Sequence, residues 1–142
     1  MNDVIWKAPF TIRPLVPHVD PRGALVELLR FTEQGIPGGG QVYSFTINSG
    51  KRRGDHYHHH KQEWFTCVHG RATVLLTPPE GESTACEISA DAPVAIYVAP
   101  GTSHALINTC DALAVIISYG VPEHDANDPD TYEKRAFPGY AG

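Results

Sequence analysis

Apolar and polar positions change places over short stretches along the chain, and these stretches are rich in Val, Ile, Thr, Phe and Tyr. Those residue types suit a pleated, half-buried strand. Twelve prolines and thirteen glycines separate the stretches at short intervals. The pattern predicts an all-β chain, with strands over Phe10 to Leu15, Ala24 to Phe31, Gln41 to Ile47, Arg52 to His58, Glu63 to His69, Ala72 to Thr77, Thr84 to Ile88, Val94 to Val98, His104 to Asn108 and Leu113 to Tyr119. Many short strands joined by turns build a sandwich or a barrel. One segment competes: Ala24 to Thr32 carries apolar residues at 24, 25, 26, 28, 29 and 31, a spacing that also suits a short amphipathic helix.

Three turns are legible. Ile36-Pro37-Gly38-Gly39-Gly40 predicts a flexible or left-handed loop, Pro78-Pro79-Glu80-Gly81 a turn, and Ala99-Pro100-Gly101-Thr102 a tight one. In the last of these Pro presets φ and Gly tolerates positive φ, so the turn can deliver His104 at the start of a strand that points back into a barrel. Beyond Val121, prolines and charges replace apolar alternation, which predicts an extended arm over Pro122 to Gly142 wrapped on the surface.

A chain of 142 residues with 42% apolar content is sized for one domain with one sizeable core. A net charge of −5 and no basic cluster larger than Lys51-Arg52-Arg53 argue against a nucleic-acid partner. Cys67, Cys86 and Cys110 are few, odd in number and not spaced as a metal knuckle, which predicts free thiols in a reducing compartment. Cys67 and Cys110 are expected to pack as small apolar residues. No stretch approaches the length that spans a bilayer, so the expectation is a cytoplasmic protein with no membrane partner.

The candidate chemistry lies in Gly54-Asp55-His56-Tyr57-His58-His59-His60-Lys61-Gln62-Glu63 and in Pro100-Gly101-Thr102-Ser103-His104. His56 and His58 are two apart, so on a strand both imidazoles project from one face, and Glu63 and His104 can close the set from neighbouring strands. Three imidazoles and a carboxylate suit zinc, iron, manganese, nickel or copper and leave room for a substrate atom. The competing reading makes the histidine run a solvated hairpin end and His104 a hydrogen-bonded core residue. His59 and His60 fall in the turn between ligand strands and are disfavoured as ligands; one of them is read as an acid/base group at the mouth.

The order Gly54, His56-x-His58, Glu63, Gly70, followed by Pro100-Gly101-x-x-His104-x-x-x-Asn108, resembles the two-part signature of the cupins. The resemblance extends further. Asp20-x-Arg22-Gly23-x-Leu25-x-Glu27, Gly40-Gln41-Val42-x-Ser44, Arg53-Gly54-Asp55-His56-Tyr57-His58-x-x-Lys61-Gln62-Glu63 and Asp128-Pro129-Asp130-Thr131-Tyr132 resemble the RmlC-like cupins that act on nucleotide-linked keto-sugars. Among these, the pattern is most similar to the C-terminal cupin domain of bacterial capsular polysaccharide biosynthesis bifunctional enzymes, over roughly residues 10 to 135. It implies a double-stranded β-helix, or jelly-roll barrel, with extra N-terminal strands. It also implies a zinc-dependent epimerase that inverts C3 of a UDP-linked 4-keto-6-deoxy amino sugar, and a homodimer. A separate N-terminal domain reduces the product in that family, and this sequence shows no Gly-rich dinucleotide fingerprint. Tyr57 stands where the family has Trp, and His60 and Trp64 where it has Thr and Lys.

Epimerisation needs a base on one face of the sugar and an acid on the other. His59, His60, Lys61 and Tyr43 are the candidates, with Lys61 part of the shared motif. Arg22 and Arg53, also in shared motifs, are the candidates for the diphosphate of a nucleotide-sugar, and the resemblance allows Arg22 to come from a partner subunit. The reading is thus a metal-dependent epimerase or isomerase of a nucleotide-linked keto-sugar, and two other functions use the same residues: a metal-dependent cupin oxygenase and a non-catalytic sugar-binding cupin.

Overall fold

The computed structural model describes residue 9 and residues 12–140. Two antiparallel sheets face each other. One runs in the order β1 (His18–Asp20), β2 (Gly23–Arg30), β3 (Gln41–Ile47), β10 (Ala114–Val121), β5 (Gln62–His69) and β8 (Ile96–Val98). The other runs β11 (Tyr132–Glu133), β4 (Arg52–Tyr57), β9 (Ser103–Ile107), β6 (Arg71–Thr77) and β7 (Thr84–Ser89). This is the all-β cupin barrel with additional N-terminal strands.

Strand β10 alternates buried and part-buried positions along its whole length, as a strand does when one face is turned to a core. Phe45, Ile47, Phe65, Cys67, Val74, Leu106 and Ile116 fill the space between the sheets. Burying each large aliphatic or aromatic side chain contributes about 1.5–3 kcal/mol. Strand β9 differs in being buried at all five positions. Its outward residues Ala105 and Ile107 meet Leu75 and Ala136, with Phe137 and Tyr140 packed around them, so the C-terminal arm seals the outside of this sheet. The arm is fixed by the Ala136 amide on Asp55 Oδ1 at 3.0 Å and by Ser103 Oγ on the Lys134 carbonyl at 2.5 Å.

The expected strand over Phe10 to Leu15 is not found where it can be assessed. Phe10 and Thr11 lie outside the described residues, and Ile12 to Pro17 is exposed and without strand pairing. Pro14 and Pro17 lack the amide donor that a ladder needs, and pairing starts only at His18. The ambiguous segment 24–32 resolves as strand β2 followed by one helical turn, α1 (Phe31–Gln34), which ends at Gly35 in the left-handed region, φ 72°. The other expected strands agree with the observed bounds to within two residues. All three cysteines are free; Cys67 is buried as expected, whereas Cys110 is only half-buried. No helix among the described residues is long and apolar enough to cross a membrane.

Candidate metal centre

The site begins with a fault in strand β4. Arg53 pairs with Leu106, Gly54 with Ala105 and His56 with His104, which leaves Asp55 as an extra residue at φ 61°. Regular alternation would place Arg53 and His56 on opposite faces; the bulge puts both into one cavity. Gly54 makes the bulge possible. It sits at φ 99°, and a Cβ there would lie 2.6 Å from the carbonyl oxygen of His104. Asp55 turns away and is clasped by Arg52 at 2.6 and 2.7 Å.

Strand β4 ends at Tyr57, so His58 stands just beyond it rather than on it. Its place is held from two directions. Its carbonyl accepts the Gly101 amide at 2.7 Å, which joins the two halves of the sequence motif, and its Nδ1 contacts the Asp130 carbonyl at 2.7 Å. His104 opens the inward face of β9, with Nδ1 3.0 Å from the Thr102 carbonyl across the tight Ala99 to Thr102 turn. Glu63 arrives from β5, in the opposite sheet, so the ligands span both sheets instead of three adjacent strands.

These contacts define where the electron pairs point. A carbonyl oxygen only accepts, so Nδ1 of His58 and of His104 must carry a proton, which leaves each Nε2 free to act as a ligand. The two Nε2 atoms lie 2.6 and 3.5 Å from Glu63 Oε1, yet none of the three atoms has a hydrogen-bond partner. All three side chains are almost fully buried, and His104 is 1% exposed. Candidate ligand atoms of His56, His58, Glu63 and His104 all fall within 4.8 Å of one another. Buried electron pairs aimed at one another without a proton or cation between them are costly, and a divalent cation at their common point removes that cost. The donor set fits such an ion.

The electrostatics favour the ligand forms. Burial among the other ring side chains pushes the His56 imidazolium down to about 4, so the ring is neutral near pH 7. Burial alone would raise the Glu63 carboxyl, but its contacts with His104 and His58 hold it well below the usual carboxylate range. Tyr43 donates from its hydroxyl to Glu63 Oε2 at 2.7 Å, leaving Oε1 for the cluster. Burial and the Glu63 charge push the Tyr43 phenol upward, so it keeps its proton and orients the carboxylate instead of acting as a base.

Three of the expected acid/base candidates separate. His59 and His60 are exposed and lie outside the metal cavity; the His59 ring packs on Tyr132 at 4.4 Å and His60 lines an outer cleft with Lys61. Lys61 is buried, and its side chain also lines an inner cavity of about 270 Å³ with Leu25, Glu27, Gln41, Tyr43 and His124. Leu25 and Tyr43 also line the metal cavity of about 180 Å³, which Lys61 itself does not line. Both expected arginines reach the metal cavity. Arg53 is 7% exposed, bonds the Thr46 carbonyl through Nε at 3.0 Å, lies over the Phe45 ring and leaves Nη2 without a partner. Arg22 is half-exposed and is held by both carboxylate oxygens of Asp20.

Comparison with known proteins agrees with the fold. The profile of the polysaccharide biosynthesis C-terminal domain matches residues 18–132. A UDP-2-acetamido-2,6-beta-L-arabino-hexul-4-ose reductase of Pseudomonas aeruginosa is 33% identical over 119 residues, 81% of this chain and 30% of that protein. The capsular polysaccharide assembling protein CapF of Staphylococcus aureus superposes with a TM-score of 0.80 at 28% identity, over 88% of this chain and 33% of that one. A variant of the oxalate decarboxylase of Bacillus subtilis, 17% identical, shares the fold with a TM-score of 0.71 over 84% of this chain and 30% of its own. The chain thus spans about a third of the length of the relatives it matches. With the family profile covering most of its length and the barrel superposing on CapF, the chain belongs to the polysaccharide biosynthesis C-terminal domain family and is a CapF-like cupin.

Proposed function

We propose that the chain is a zinc-dependent epimerase acting at C3 of a nucleotide-linked 4-keto-6-deoxy sugar in polysaccharide or surface-sugar biosynthesis. The observation that carries this reading is the buried convergence of His58 Nε2, His104 Nε2 and Glu63 Oε1, with His56 beside them, at the wall of a cavity. The name of the P. aeruginosa relative, a reductase of a UDP-linked hexul-4-ose, supports a keto-sugar as the substrate class.

Taking the proton from C3 breaks the C3–H bond and sends its electron pair toward the C4 carbonyl, where negative charge grows on oxygen. His56, His58, Glu63 and His104 would hold a divalent cation, which would supply Lewis-acid stabilisation of that charge. The protein supplies the rest. Tyr43 keeps Glu63 turned to the centre, and Phe45, Phe65 and Leu106 exclude water around it. Lys61 is the favoured proton-transfer group, taking the C3 proton as the neutral amine or returning one to C3 as the ammonium, since its side chain has no hydrogen bond or ion pair among the described residues and is buried beside Tyr43. His60 can act only through the outer cleft that it shares with Lys61. Whole small-molecule ligands occupy pockets of roughly 300–1,000 Å³, more than the metal cavity offers. The sugar ring is therefore assigned to the cavity beside Arg53 Nη2, and the diphosphate to Arg22 at its edge, with the nucleoside outside.

The test is proton exchange at carbon. Zinc-loaded protein incubated in deuterated water with a panel of UDP- and dTDP-linked 4-keto-6-deoxy sugars should place deuterium at C3 of at least one of them, while His104→Ala should place none. Substrate binding without any exchange would make the protein a sugar-binding cupin; oxygen consumption with an iron-loaded sample would make it an oxygenase.

A further inference from the structure

Asp130 lies in the C-terminal arm, more than sixty positions beyond the histidine run, and it has no place in the ligand set. It nevertheless touches that run four times. Its carboxylate accepts the backbone amides of His59, His60 and Lys61 at 2.7, 2.9 and 3.1 Å, and its own carbonyl faces Nδ1 of His58 at 2.7 Å. To do both it adopts a left-handed backbone, φ 49°, in which carbonyl and side chain address the same turn. Those three amides hold the Asp130 carboxyl below the usual carboxylate range despite the opposing effect of burial, so the cap is ionised.

We infer that Asp130 is a positioning residue for the metal centre: it clamps the 58–62 turn and fixes His58 with its Nε2 electron pair directed at the ion, so that docking of the C-terminal arm and metal affinity are coupled. The arm is otherwise held to β4 and β9 by Asp55 and Ser103, by the Tyr57–Tyr132 ring stack, centroids 5.4 Å apart, and by the backbone pairing of Glu133 with His56, so Asp130 is where that docking reaches the ring of a candidate ligand. Carboxyl and carbonyl partners of ligand histidines fix ring tautomer and orientation, and their loss typically costs about 10–100-fold in metal affinity.

This inference rests on the proposed metal site and can fail separately from it. Zinc affinity is measured by competition with a chromophoric chelator for the wild type, Asp130→Ala, Asp130→Asn and Lys134→Ala, a position on the same arm whose side chain has no hydrogen bond or ion pair to the turn among the described residues. The expected result is a loss of about tenfold or more in both Asp130 variants and none in Lys134→Ala. A folded Asp130→Ala that binds zinc as tightly as the wild type, or an equal loss in Lys134→Ala, overturns it. A wild type that binds no zinc sinks the metal reading instead. A second readout needs no variant to fold: nitrogen NMR of the metal-free wild type should show the Nδ1-protonated tautomer of His58, and the Nε2-protonated tautomer would overturn the inference.

Discussion

The Tyr43 hydroxyl donates to Oε2 of Glu63 at 2.7 Å while Oε1 of the same carboxylate lies 2.6 Å from Nε2 of His58. One oxygen is thus committed to the protein and the other to the centre. Tyr43→Phe removes the donor and leaves a buried carboxylate oxygen without it, which costs about 1–3 kcal/mol of stability. Zinc affinity should fall about tenfold as Glu63 loses its fixed orientation. Urea denaturation and chelator competition measure the two effects, and an unchanged affinity would show that Tyr43 does not orient the ligand.

Gly54 carries the bulge that brings Arg53 and His56 into one cavity. In Gly54→Ala the added Cβ meets the His104 carbonyl at 2.6 Å in a backbone at φ 99°. Relief requires the strand to move, so a loss of about 2 kcal/mol or more is expected, together with weaker metal binding. A variant as stable as the wild type by denaturant titration would mean that the bulge is not held by this contact.

Arg53 and Arg22 should differ in their effect on binding. Arg53 is buried with a free Nη2, whereas Arg22 already spends its guanidinium on Asp20. Arg53→Met should raise KM for the nucleotide-sugar about tenfold, equivalent to about 1.4 kcal/mol, and Arg22→Met by less. The reverse order in steady-state kinetics would exchange the two assignments.

The metal-free protein should lose stability in acid. The His56 ring resists protonation in the folded chain down to about 4, while an unfolded chain takes that proton near its ordinary value of 6.5. Between those values the unfolded state binds more protons, so stability falls as pH falls through the window. Glu63, depressed in the fold, adds stability that is present above its unfolded value and lost as pH drops below it. Thermal unfolding of chelator-treated protein from pH 7 to 4 should show this decline, and a flat profile in the wild type, or the same slope in His56→Gln, would contradict it.

Much of the barrel was legible because its strands alternate and its turns are marked by Gly and Pro, and the four residues of the candidate metal cluster stood out by type and spacing. What escaped depended on geometry that alternation does not encode. Counting by twos separates Arg53 from His56, and only the extra residue Asp55 reunites them. Asp130 belonged to a recognisable tail segment, but its role as a clamp follows from a chain reversal that brings residue 130 onto residues 58–61. Tyr43 looked like an acid/base group from its type, and only its contact with Glu63 shows a fixed donor. The N-terminal strand was misplaced because Pro14 and Pro17 interrupt an otherwise apolar, β-prone stretch.

The most direct test is metal stoichiometry by inductively coupled plasma mass spectrometry after reconstitution with zinc and removal of the excess. A centre built from His56, His58, Glu63 and His104 should hold one ion per chain in the wild type and none in folded His104→Ala or Glu63→Gln. Wild-type protein without a retained ion, or variants that retain a full complement, would contradict it.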